Sequence, residues 1–189
     1  LPLSGSTFKK VYYDDLLGRA VSKFIPAEDL VVPYSATSLE DAEAVIHIIR
    51  MSENDLRKQQ INGFYRDIDL GDPPVQEDQL KEKERELEGI QMNGSADMFT
   101  ILEMHVDVDL EGHEDVNPED GEPTGIRLPY IITIDEANKK VLSIRRNYVA
   151  GDPLKNKKDY FVHFKFLPGL GFYGLGLIHM IGGLSRTAT

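Results

Sequence analysis

The 189 residues carry 21 Lys and Arg against 32 Asp and Glu, a formal net charge of −11, with no Cys and no Trp. Disulfides, thiolate nucleophiles and thiolate zinc sites are thereby excluded, and so acidic a chain argues against a surface that wraps nucleic acid by neutralising phosphates, though not against one that repels DNA and lets it pass. A hydrophobic content of 41% builds the core of one or two small domains and excludes global disorder.

Residues 8–13 alternate and read as a strand. Asp14, Asp15 and Gly18 turn the chain into a return strand at 20–25, giving a hairpin. Pro26 opens a turn, and 30–32 is a short buried strand. Ser38, with Asp41 three residues on, predicts a short capped helix over 39–43. The β-branched run 44–51 predicts a strand, with an extension of that helix as the alternative. Ser52 predicts an N-cap for a helix over 53–62, where Glu53 and Asp55 suit the helix dipole and Gly63 suits the stop.

Gly71, Pro73 and Pro74 mark a linker at 68–75. A charged helix is predicted over 76–88, with Glu77 and Lys81 four apart and only Leu80 and Leu87 as an apolar seam. So narrow a seam suits a solvated or partner-packed helix. Residues 91–97 are loose and polar. A long alternating strand follows at 99–110, with Met104, Val106 and Val108 expected to face the core, then an acidic loop at 111–124. A hairpin is predicted from 130–134 and 141–144, and a fourth strand at 160–166. The four strands predict an antiparallel β-meander, and the chain as a whole an α+β fold.

The last segment, FVHFKFLPGLGFYGLGLIHMIGGLSRTAT, passes from an aromatic strand through a glycine-rich bend into a helix start. Because the chain stops there and begins with Leu1, the expectation is a piece of a larger polypeptide. Gly169, Gly171 and Gly174 spell G-x-G-x-x-G. A dinucleotide site would need a parallel βαβ context, which an antiparallel meander with Pro168 after its strand does not supply. The expectation is a tight corner with positive φ and close packing. Residues 167–184 carry no formal charge, but Pro168, six glycines and His179 argue against a membrane span and for a helix packed on protein. Gly174, Gly176, Gly182 and Gly183, with His179, are candidate oligomer-interface residues.

His105, Asp107 and Asp109 alternate along one strand and are the candidate metal ligands of an alternative reading, a metal- or ligand-binding enzyme domain. A calcium-loop start from Asp107 fails at its twelfth position, which is Pro118. The simpler expectation for that face is solvated strand, and for His47 and His163 core or interface packing. No G-x-S-x-G, H-E-x-x-H or P-loop pattern occurs, and no nucleophile with a positioned base is nominated.

Four segments in order resemble the portal, or head–tail connector, proteins of short-tailed bacteriophages: FKKVYYDDLLGRAVSKFIPAEDLVV, VIHIIRMSENDLRKQQINGFYRDIDL, LPYIITIDEANKKVLSIRRNY and the last segment from YFVHFKF onward. The resemblance implies a homo-oligomeric ring, usually of twelve subunits, at one capsid vertex. Double-stranded DNA is packaged and ejected through it without sequence specificity. It implies a virion protein assembled in the bacterial cytoplasm, with no enzyme activity and no cofactor. Its implied partners are the large terminase subunit, a tail adaptor, and capsid and scaffold proteins. On this mapping residues 1–71 are the wing-to-stem region, 72–98 the charged helix and linker, 99–168 a clip-like meander, and 169–189 the start of a returning stem helix. Glu111, Asp115, Glu119, Asp120 and Glu122 of the acidic loop become the candidate partner-docking surface.

Overall fold

The computed structural model describes residues 1–14, 17–71, 98–117, 120–169 and 171–188. The charged helix expected over 76–88 lies outside them, as do Pro118 and Glu119. Among the described residues, eight strands form two antiparallel sheets with short helices, an α+β fold. They are β1 (Ser6–Asp14), β2 (Arg19–Ile25), β3 (Leu30–Val31), β4 (Ala44–Ser52), β5 (Met98–Val108), β6 (Leu128–Asp135), β7 (Val141–Arg146) and β8 (Phe161–Lys165). The helices among the described residues are a 3-10 turn at Ala27–Asp29, α1 (Glu53–Ile61) and α2 (Leu177–Ala188). Strand order is β2-β1-β8 in one sheet and β3-β4-β5-β6-β7 in the other.

The chain divides into two compact units that interleave along the sequence. The first comprises Leu1–His47, Met104–Ile131 and Arg145–Thr189. Its three-stranded sheet follows from the alternation of β1: Ser6, Phe8 and Lys10 are buried, while Lys9, Val11 and Tyr13 are exposed. Phe8 pairs with Ile25 of β2 and with His163 of β8. The core gathers Phe8, Ile25, Leu30, Val45 and Phe172. Removing Phe8 from water contributes about 2–3 kcal/mol on area grounds.

The second unit comprises Ile48–Glu103 and Ile132–Ile144. Ser52 ends β4 and caps α1, its Oγ accepting from the Asp55 amide at 3.2 Å while the hydroxyl donates to Asp55 Oδ2 at 2.9 Å. Gly63, at φ 72°, ends the helix turn, and its amide donates to the Gln60 carbonyl. Leu56, Tyr65, Leu70, Phe99, Ile101 and Leu142 form this unit's core. The buried Gln60 amide donates to the Ile68 carbonyl at 2.8 Å and ties the segment after α1 down.

Four expectations need correction. Residues 37–41 bend but form no helix. The Asp41 carboxylate folds back onto the amides of Thr37 and Ser38 and both their hydroxyls, while Ser38 Oγ takes the amides of Glu40 and Asp41. Local side-chain bonds here outcompete the helical ladder. Those bonds, the Thr37 hydroxyl first, lower the exposed Asp41 carboxyl to about 2.

The meander is shorter than expected. β5, β6 and β7 are neighbours in one sheet, but β8 leaves them to pair with β1. The buried face of β5 is also the reverse of the expected one: Phe99, Ile101, Glu103 and His105 are buried, and Met104, Val106 and Val108 only half-buried. Phe99 and Ile101 set the parity, and a period of two carries Glu103 and His105 inward with them.

The glycine corner packs closely without positive φ at Gly169, Gly174 or Gly176. A Cβ at Gly176 would lie 2.1 Å from the Leu3 carbonyl oxygen, and one at Gly174 2.7 Å from that of Gly5. Both glycines meet the chain's own amino-terminal segment rather than another helix. Positive φ falls on the partner side of the contact, at Gly5, with φ 84°.

Candidate functional site

The register of the three-stranded sheet brings together a cluster that no local pattern announced. Ser6 lies on β1 and His163 on β8, 157 residues apart, with Ser6 Oγ 3.0 Å from His163 Nε2. The Gly174 amide donates to the same oxygen at 2.8 Å. Ser6 Oγ thus takes the amide proton on one side and shares a hydrogen bond with the imidazole on the other, its direction set by the ring's tautomer. The imidazole lies over Phe8, centroids 4.3 Å apart, and beside Phe172 at 4.9 Å. Desolvation, helped by the charge of Lys165, lowers His163 to about 4.

A hydroxyl bonded to an imidazole is the geometry of a nucleophile and its base. Here the chemistry fails on three counts. Ser6 is 2% exposed, its oxygen is held by Gly174, and an imidazole of so low a pKa is a poor base near neutrality. The cluster is a latch. It ties β1, β8 and the corner leading into α2 to one another, and an antiparallel bridge between Leu167 and Leu175 closes the corner.

The metal candidates do not converge. His105 is buried with its ring edge-on to Phe161 at 4.8 Å and to Tyr160 at 5.4 Å, whereas Asp107 and Asp109 are exposed. Among the described residues no group of three His, Asp or Glu could hold a metal ion. A shallow cleft of about 40 Å³ beside His105 is lined by Leu39, Val45, Asn147 and Tyr160, among others. Lys157 rims it and donates to the Glu40 carbonyl at 3.0 Å. His47 is also buried, edge-on to Phe161 at 6.0 Å.

In the acidic loop Asp115 is committed within the chain, ion-paired with Lys155 and accepting from the Thr124 hydroxyl at 2.7 Å. Glu111, Asp120 and Glu122 are exposed. Asp120 accepts from the Glu122 amide and the Asn117 side chain, which shapes the loop tip. Of the interface candidates, Gly174 and Gly176 are buried by the chain's own backbone, and His179 and Gly182 are exposed. The α2 residues Ile178, Met180 and Ile181 are exposed too. Among the described residues no helix is long and apolar enough to cross a membrane.

The outer face of the β2-β1-β8 sheet is the other large apolar surface. Pairing of Lys9 with Phe24 and Val162, and of Thr7 with Phe164, sets these side chains beside Val11 and Tyr13 on one face. Tyr13 is 63% and Phe24 60% exposed. Nothing in the local sequence marks this face; it needs the distant β1–β8 pairing to exist. No protein-family model matches the chain, and no curated protein matches it.

Proposed function

We propose that the chain is part of a phage portal subunit, one wedge of a ring at the capsid vertex through which double-stranded DNA enters and leaves. The observation that carries this reading is the order of the four resembling segments along nearly the whole chain. Two physical features support it. A net charge of −11, repeated around a ring, makes a negative belt that repels phosphate and keeps DNA moving. Two exposed apolar faces, on the three-stranded sheet and on α2, are surfaces that association would cover.

On this reading the protein is a conduit with no catalysis and no cofactor, in the virion after assembly in the bacterial cytoplasm. The exposed acids Glu111, Asp120 and Glu122 are the docking surface for the large terminase subunit and then the tail adaptor, with Asp115 shaping the loop from inside. Electron microscopy of the purified chain, with native mass measurement, is the test. Closed annuli of uniform subunit number around a central hole are expected. Single chains only, at tens of micromolar and above, overturn the proposal.

A further inference from the structure

We infer that the outer face of the β2-β1-β8 sheet and the exposed side of α2 are two halves of one contact, the helix of each copy lying on the sheet of the next. It deepens the ring reading by naming its repeating contact, and only closure into an annulus rests on that reading.

The sheet half is set by register. Val11, Tyr13, Phe24, Val162 and Phe164 share one face and are each at least 40% exposed. Weighted by exposure, they and their aromatic neighbour Phe166 leave apolar area on the order of 500 Å², at the upper end of what a monomer's largest patch reaches. The helix half centres on Ile178 and Ile181, three residues apart on one face, with Met180 flanking Ile181; they are between 52% and 60% exposed and leave on the order of 300 Å² more. Such a pair with a polar rim reaches the roughly 1,200–2,000 Å² that stable interfaces bury.

Two features select a second copy, docked helix to sheet. The chain carries −11, so copies repel where acids face one another, whereas the paired strands put only Lys9 as a charge on the sheet face and residues 177–185 of the helix carry none. Lys9 sits mid-face, opposite both Phe24 and Val162, with its ammonium 5.9 Å from the Phe164 ring centre. Two sheets stacked face to face would bring two such lysines together in an apolar layer. A helix avoids this, because residues 177–185 hold no Lys, Arg, Asp or Glu. Helix on sheet is also a standard packed layer. The contact is head-to-tail, so each copy keeps one free half and assembly continues until a ring closes.

Two double variants test it by sedimentation and mass photometry. One carries Phe24→Glu and Phe164→Glu on the sheet, the other Ile178→Glu and Ile181→Glu on the helix. The native chain should self-associate, and each variant alone should do so at least about tenfold more weakly. Mixed one to one, they should form a heterodimer that grows no further, since the mixture holds one intact contact. If either variant alone assembles like the native chain, the inference fails while the ring reading stands on another surface. A mixture that stays dissociated also overturns it. If the native chain never associates, both fall. Where circular dichroism shows a glutamate variant to be unfolded, Phe24→Ser and Ile178→Ser replace it with the same expected pattern.

Discussion

His163 is held where a proton is hard to keep. Phe8 and Phe172 take its ring out of water, and Lys165 adds positive charge nearby. Folding lowers this histidine from 6.5 to about 4, the largest cause being burial. Between those values the unfolded chain binds the proton and the folded chain does not, so stability falls as pH drops. The contribution is complete above pH 6.5, is lost progressively toward pH 4, and levels below that. The depressed carboxyls of Asp41, Asp55 and Asp115 titrate below this window and add their loss only in stronger acid. Urea unfolding of the native chain and of His163→Phe at pH 7, 6 and 5 isolates the effect. The native chain should lose more stability per pH unit than the variant, and equal slopes would remove the latch's role as an acid-sensitive tie.

At the scale of elements, what could be read in advance was what neighbours in sequence decide. Ser52 and Asp55 are three residues apart, and their reciprocal bonds start α1 where the pattern said it would start. Ser52→Ala should therefore cost about 1 kcal/mol, seen as a lower unfolding midpoint with the slope of the transition unchanged. The Ser38 pattern is nearly identical, yet Asp41 turned back to Thr37 and no helix formed, because one carboxylate could satisfy four local donors at once. Strand existence was legible from alternation, but the partner was not. β8 follows β7 in the chain and pairs instead with β1, a contact closed over about 150 residues. The Ser6–His163–Gly174 cluster and the apolar sheet face depend on that pairing, so neither was visible in the sequence. The G-x-G-x-x-G string did mark a close backbone approach. The tightest one lies just beyond it, at Gly176, and the strained φ lies on the opposite strand of chain, at Gly5.

For the whole molecule, the net charge and the apolar faces pull in opposite directions, and ionic strength separates them. Copies carrying −11 each repel over a distance set by the Debye length, about 30 Å at 0.01 M salt and about 8 Å at 0.15 M. The proposed contact is apolar on both sides, so salt screens the repulsion and leaves the attraction in place. Association measured by sedimentation equilibrium should tighten as salt rises from 0.01 to 0.15 M. A contact built instead on ion pairs between the acidic loop and scattered lysines would weaken over the same range. The same balance applies to pH. As pH falls toward the isoelectric point near 4.9, repulsion fades and association should tighten again. Weakening on both axes would show that charge, not the sheet and the helix, joins the copies.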